Sequence, residues 1–407
     1  MLNFDAAQQQ LLASVQGLKP ELESLPLECA SARVLAKSVM AKINVPPQDN
    51  SAMDGIAFKF SDYHADKPMP ISDKIFAGMS AATLKPGTAV RLFTGSIIPK
   101  GADTVVLQED CEFVYDADGE LASVKITETP KQGQHIRLSG EDIGLGSEVV
   151  AAGVALTARH IGLLASVGVS HVEVYKALKV GLLATGDELV AAGGQLKSGQ
   201  IFNSNLPMLT AQLESMGCLV DARHVADDIE LIVENLESMA ASMDVILTIG
   251  GVSVGEADLV KVAIERLGQL DLWKVAMKPG KPLSFGHISV EGKPALPLIG
   301  LPGNPVSAFA TFELFARPFL QSRSGLATVK TDAQAQYPIQ LLKTLQPKRE
   351  EFLRVRLCLE DGVAVLKPYT QQGSGVLSSV AWATGFARIP SAELTNDGDK
   401  VKYYPFS

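Results

Sequence analysis

The sequence predicts a multidomain chain of α/β plus β class, and three changes of texture along its 407 residues carry that reading. From about residue 175 to 323, short apolar strands alternate with amphipathic helical stretches, the pattern of βαβ units around a mainly parallel sheet. Residues 46–140 consist of short apolar runs broken by Gly, Pro and Asp, which describes a small β-rich domain. From about residue 324 the segments turn to period 2, which describes a second β domain. The length agrees, since one domain typically holds roughly 100–200 residues.

Residues 6–18, rich in Ala, Gln and Leu and closed by Gly17 and Pro20, read as an amphipathic helix, and residues 29–40 read as a second one before Pro46-Pro47. Runs such as Ala89-Val-Arg-Leu-Phe and Thr104-Val-Val-Leu-Gln supply strands of the β-rich domain. Residues 157–167 are helical again and are placed against the N-terminal helices. On that reading residues 1–45 and 141–174 form one helical linking unit, and residues 46–140 are an insertion in it. In the α/β unit, 175–323, strands are expected at 180–184, 245–249 and 295–299, and helices at 206–216, 228–241, 259–267 and 306–319. Residues 324–407 contain Phe352-Leu-Arg-Val-Arg-Leu-Cys-Leu and Gly373-Ser-Gly-Val, a small β domain.

Composition narrows the function. Lys and Arg number 36 against 45 Asp and Glu, a net charge of -9, which argues against a broad surface for nucleic acid or anionic lipid. Cys29, Cys111, Cys218 and Cys358 form no CxxC pair, so neither a disulfide framework nor a thiolate zinc site is signalled. The start lacks the basic-then-apolar order of a signal peptide and no apolar stretch reaches the length of a membrane span. The expectation is a cytoplasmic protein without membrane contact. The six histidines show no paired metal spacing, and no hydrolytic triad is legible.

Three Gly-rich loops fall where strands of the α/β unit should end: Thr185-Gly-Asp-Glu, Gly250-Gly-Val-Ser-Val-Gly-Glu-Ala-Asp and Gly300-Leu-Pro-Gly-Asn-Pro-Val-Ser. Ligands on such sheets bind beyond the carboxyl ends of the strands, and glycine lets backbone N–H groups close on phosphate oxygens. Each loop alone reads equally well as a tight strand-to-helix turn. Neither a Walker pattern nor GxGxxG is present in them, so ordinary ATP or dinucleotide binding gains no support. Asp187, Glu188, Glu256 and Asp258 offer the hard oxygen ligands that magnesium takes together with substrate phosphate, while helix capping is the alternative for Asp258. Lys274, Lys278 and Lys281 form a cationic run fixed by two prolines and a glycine, suited to an anion. Asp49, Asn50, Ser51 and Asp54, with the turns at Phe93-Thr-Gly-Ser and Arg137-Leu-Ser-Gly-Glu-Asp, present polar loops in the β-rich domain.

These segments together resemble the molybdopterin molybdenumtransferase family, called MoeA in bacteria and the E domain of gephyrin in animals. The resemblance rests on Asp49-Asn-Ser-Ala-Met-Asp-Gly, Phe93-Thr-Gly, Gly140-Glu-Asp-Ile, Thr185-Gly-Asp-Glu-Leu, the 250–258 loop, Lys278-Pro-Gly-Lys-Pro and Leu301-Pro-Gly-Asn-Pro-Val-Ser, in the family's order. It implies an α/β molybdopterin-binding domain, a C-terminal β barrel and a homodimer with a composite site. The implied reaction inserts molybdenum from molybdate into adenylylated molybdopterin, releases AMP and uses Mg2+. Carried over residue by residue, Asp54, Thr94, Asp142, Glu188, Asp258, Lys274 and Lys278 would be catalytic, with the metal on Glu188, Asp258 and Asp54. Thr185, Gly186, Asp187, Gly250, Gly251, Ser253, Lys281, Pro302, Gly303, Asn304, Pro305 and Ser374 would hold the pterin and its phosphates. Ile56 departs from the family, which usually has an aromatic there. Contact with a molybdopterin adenylyltransferase is a further expectation. Three other readings stay open at this point: a molybdopterin carrier or scaffold, a tungstate-specific transferase, and an adenylyltransferase.

Overall fold

In the computed structural model Asn3 caps the first helix, α1 (Phe4–Ala13), its side-chain oxygen accepting from the Ala6 N–H at 2.7 Å. The structure describes every residue except 1, 16, 251–258, 281, 290, 291, 293, 330, 332, 334 and 407, and only the main chain of 272–274 and 282. The apolar residues Phe4, Ala7 and Leu11, spaced at three and four, bury one face of α1 completely. That face does not meet the linking unit, contrary to the expectation. Phe4 packs with ring centroids 5.2 Å from Phe315 and 4.9 Å from Phe352, and Asp5 takes two bonds of 2.8 Å from the Arg388 guanidinium. The helix therefore joins the α/β and C-terminal units.

No helix forms at 29–40. A 3-10 turn at Leu27–Cys29 is followed by Ala32 in the left-handed region (φ 62°), and the next N–H groups pair sideways: Leu35 to Val154 O at 2.9 Å and Ala36 to Glu173 O at 2.9 Å. Segments distant in sequence thus take the donors that a helix would have used internally. The linking unit is built on strand Leu22–Pro26 paired with His171–Tyr175, strand Val39–Met40 paired with Glu148–Val150, and one helix, α2 (Ala158–Ser166). Leu27, Leu35, Val150, Leu164 and Val174 form its core.

The inserted unit is a six-stranded sheet in the order Thr104–Leu107, Gly55–Phe58, Ala89–Leu92, Met69–Ile75, Leu121–Ile126, Cys111–Tyr115. Gly55 is required where it stands. An added Cβ there would lie 2.0 Å from the Val106 carbonyl oxygen of the adjacent strand. Ile56 is wholly buried in this sheet's core, so its side chain serves packing at that position.

The α/β unit holds a second six-stranded sheet, ordered Leu219–Val225, Lys179–Thr185, Val245–Ile249, Leu296–Leu301, Pro282–Ile288, Gly268–Lys274. The first three pairings are parallel and the last two antiparallel, because an edge hairpin at 268–288 follows the βαβ units. Helices α3 (Asn205–Ser215), α4 (Ile229–Ser242) and α5 (Leu259–Leu267) flank it, α4 capped by Asp228, whose carboxylate accepts from Glu230 N and Leu231 N. Strand residues alternate between two cores, Leu182, Leu247 and Ile299 facing one and Leu183, Ile246 and Leu298 the other, which explains their unbroken apolar runs.

Helix continues through α6 (Pro305–Thr311), a π turn at Phe312–Ala316 and α7 (Arg317–Arg323). Pro318 has no N–H, so the Leu314 carbonyl lacks its usual partner four residues on. It accepts instead from the Gln8 side-chain amide of α1 at 2.7 Å. The C-terminal sheet runs Met277–Lys278, Glu350–Glu360, Gly385–Ile389, Lys400–Pro405, Ala335–Pro338, with Val363–Pro368 also on Glu350–Glu360. A bridge between Ile339 and Leu366 brings the two ends together as a barrel. Among the described residues no helix is long and apolar enough to cross a membrane.

Candidate functional site

The carboxyl ends of Lys179–Thr185, Val245–Ile249 and Leu296–Leu301 open into a cavity of about 1290 Å³. The first strand supplies Thr185, Gly186 and Glu188, the second Gly250, and the third Pro302, Gly303, Asn304 and Pro305. Ser374 faces it from the C-terminal unit. This is where a parallel sheet exposes unpaired backbone donors and where the Gly-rich loops were expected to act.

Gly186 adopts φ 147°, and a Cβ there would sit 2.6 Å from a Glu188 carboxylate oxygen. Only glycine lets Glu188 fold back over the turn. His224 Nε2 lies 3.0 Å from the Gly186 carbonyl and donates to it, and Asp187 and Asp227 lock the loop reciprocally: Asp227 N–H donates to Asp187 at 3.1 Å and Asp187 N–H to Asp227 at 3.4 Å. Asp187 is thereby a loop fastener and does not line the cavity, whereas Asp227 does. Glu188 and Asp227 are then two carboxylates in one cavity, the number magnesium commonly takes beside substrate phosphate. Among the described residues no group of three or more His, Cys, Asp or Glu could hold a metal.

The opposing charge comes from a strand shared between units. Met277–Lys278 pairs in parallel with Glu350–Glu351 of the C-terminal sheet, Lys278 Nζ donates to Glu351 at 2.7 Å, and Arg349 donates to the Met277 carbonyl at 3.1 Å. Both Lys278 and Arg349 line the cavity. Arg349 was not foreseen, because a lone Arg in Lys348-Arg-Glu-Glu carries no spacing signal.

Asn203 and Asn205 were missed as well. Asn203 Oδ1 accepts from Leu206 N–H at 3.1 Å, and Asn205 Nδ2 donates to the Gly303 carbonyl at 2.6 Å. These bonds fix both amide orientations and leave Asn203 Nδ2 and Asn205 Oδ1 buried without partners among the described residues at the cavity wall. Phe202-Asn-Ser-Asn ahead of α3 was the available signal, a polar cluster at a helix start.

Asp54, Thr94 and Asp142 do not line this cavity; they belong to the inserted unit and its junction. Asp54 accepts from the Thr94 N–H at 2.8 Å and the Thr94 hydroxyl at 2.7 Å. The N–H foremost, then the hydroxyl, holds its carboxyl below the ordinary 3.8. Since the folded-state pKa is the lower one, this bond stabilises the loop above the ordinary value and is lost as pH falls through the folded one. The Thr94 amide resonance is expected to titrate with a midpoint below 3.8, and a midpoint at or above that value would exclude the bond in solution. Gly251, Ser253, Glu256, Asp258 and Lys281 lie outside the described residues, as does the Lys274 side chain.

Three family descriptions cover most of the chain: MoeA N-terminal region (domain I and II) at residues 2–168, probable molybdopterin binding domain at 181–322, and MoeA C-terminal region (domain IV) at 343–406. The molybdopterin molybdenumtransferase of Synechococcus elongatus is 36% identical over 408 residues, spanning 97% of this chain and 96% of its own. The chain belongs to the molybdopterin molybdenumtransferase (MoeA) family. Another member, from Haemophilus influenzae, is 40% identical over 80% of this chain and 78% of its own. The MoeA-family fold extends end to end: the crystal structure of the molybdopterin biosynthesis MoeA protein from Pyrococcus horikoshii OT3 matches with a TM-score of 0.79 at 25% identity, covering 100% of both chains.

Proposed function

We propose that this chain is the transferase of molybdenum cofactor biosynthesis that inserts molybdenum from molybdate into adenylylated molybdopterin and releases AMP, and that the cavity between its α/β and C-terminal units holds the pterin nucleotide. The observation that carries this is the joining, in one cavity at the carboxyl ends of parallel strands, of Glu188 and Asp227 with Lys278 and Arg349. Splitting a phosphoanhydride is chiefly a task of positioning and charge stabilisation, which suits a site without a strong nucleophile.

Thr185, Gly186, Gly250, Pro302, Gly303, Asn304, Pro305 and Ser374 would surround the pterin and its phosphates. Glu188 and Asp227 would hold Mg2+, which when bound offsets negative charge on the phosphates. Lys278 and Arg349 would take the remaining anionic charge. Asp54, Thr94 and Asp142 would serve the molybdate side from a second copy of the chain, so the site is complete only in a homodimer. The supplier of the substrate would be a molybdopterin adenylyltransferase.

The test mixes purified protein with adenylylated molybdopterin, molybdate and magnesium, and follows AMP together with activation of a molybdenum-free apoenzyme. AMP that appears only with both molybdate and magnesium, and an active apoenzyme, is the expected result. Binding without AMP release would overturn the reading in favour of a carrier. Activation by tungstate alone would reassign the oxyanion.

A further inference from the structure

Arg354 lies on strand Glu350–Glu360, five residues beyond Arg349, and is only 1% exposed. No carboxylate pairs with it among the described residues. Its guanidinium donates to the Ser379 hydroxyl at 3.0 Å and to the carbonyls of Gln371 at 3.4 Å and Gly373 at 3.0 Å. A charge buried in this way persists only where fixed dipoles answer it. Burial pushes the guanidinium down to about 10, which leaves it charged at neutral pH.

The two carbonyls have a consequence on their other side. In a planar trans peptide the C=O and the following N–H point in opposite directions. The peptides 371–372 and 373–374 are trans. With Gln371 O and Gly373 O drawn inward to Arg354, the N–H groups of Gln372 and Ser374 point away from it. Neither finds an acceptor among the described residues, and both residues line the cavity. The segment is also fastened at its flanks. The Gln372 side chain exchanges bonds of 3.0 Å with the main chain of Arg354, and the Ser374 carbonyl accepts from Val306 N–H at 3.0 Å.

We propose that Arg354 is a positioning residue that turns the N–H groups of Gln372 and Ser374 into the cavity as a preformed cradle for a phosphate oxygen of the substrate. Main-chain donors fixed in one direction make such an anion site. The proposal rests on the substrate reading above, and its test separates the two.

Inorganic pyrophosphate is titrated into wild type, Arg354→Gln and Arg354→Lys, following affinity by calorimetry and the amide resonances of Gln372, Ser374 and Thr185. Removing a charged donor that orients the cradle is expected to weaken pyrophosphate binding about tenfold or more in Arg354→Gln. Arg354→Lys, which keeps the charge but not the forked geometry, recovers part of that loss. Pyrophosphate shifts the Thr185 resonance in every variant, but those of Gln372 and Ser374 only in wild type and, more weakly, in Arg354→Lys. Where Arg354→Gln fails to fold, the same comparison between wild type and Arg354→Lys decides. Equal affinity in wild type and Arg354→Lys, with the same three shifts, would overturn the proposal, as would a wild type that leaves Gln372 and Ser374 unmoved. A wild type that binds pyrophosphate through these amides yet releases no AMP from adenylylated molybdopterin would overturn the substrate reading alone.

Discussion

Lys278→Met lowers kcat/KM for AMP release by about 10²–10³-fold, the expected loss when one preorganised charge is removed from developing charge on a phosphoanhydride. The ammonium is held by Glu351 at 2.7 Å on a strand that is itself paired with the C-terminal sheet, so its position is set before substrate arrives. Methionine keeps the unbranched stem and removes only the charge, leaving Glu351, 13% exposed, without this cation. A thermal midpoint that falls by only a few degrees would accompany the loss of rate, separating chemistry from unfolding. Lys278→Arg keeps the charge and recovers much of the rate. Steady-state AMP release measures this, and a Lys278→Met enzyme within threefold of wild type would remove Lys278 from the catalytic group.

Gly55→Ala destabilises the inserted sheet by about 3 kcal/mol or more, a value reserved for few single substitutions. The new Cβ would lie 2.0 Å from the Val106 carbonyl oxygen, main chain that cannot step aside without opening the pairing of Ile56 with Val106. Asp54 immediately precedes this strand, so its bond with Thr94 loosens as well and activity falls with stability. Gly144→Ala is the control, since a Cβ there meets nothing within 4 Å. Urea unfolding followed by the inserted sheet's amides should show the first variant opening early and the second unchanged. An unaltered midpoint for Gly55→Ala would mean that the strands part more readily than their register indicates.

The α/β unit was legible because its signals are periodic. Apolar runs at 180–184 and 245–249 end in Gly-rich turns, and strands Lys179–Thr185 and Val245–Ile249 lie there. Residues 29–40 misled for the opposite reason. Val34 and Leu35 are apolar and buried, but their partners are strands more than a hundred residues away, which no local pattern reveals. In the site, loops that carry glycine announced themselves. Asp227 and Arg349 did not, because each is one polar residue brought to the cavity by tertiary packing, and Asn203 and Asn205 gave only the weaker signal of a polar cluster at a helix start. Asp187 shows the converse: a carboxylate in the right loop is spent on fastening it.

The docking of α1 has a consequence for synthesis. Asp5 is 383 residues from Arg388, and Phe4 packs on Tyr404 near the other end of the chain. This helix is therefore synthesised 383 residues ahead of Arg388 and completes its seat only after the inserted sheet and the α/β core have had time to form as units. Until then its face of Phe4, Ala7 and Leu11 stays partly uncovered, a hydrophobic stripe available to a holdase chaperone during translation and withdrawn as the helix is closed between the α/β core and the C-terminal barrel.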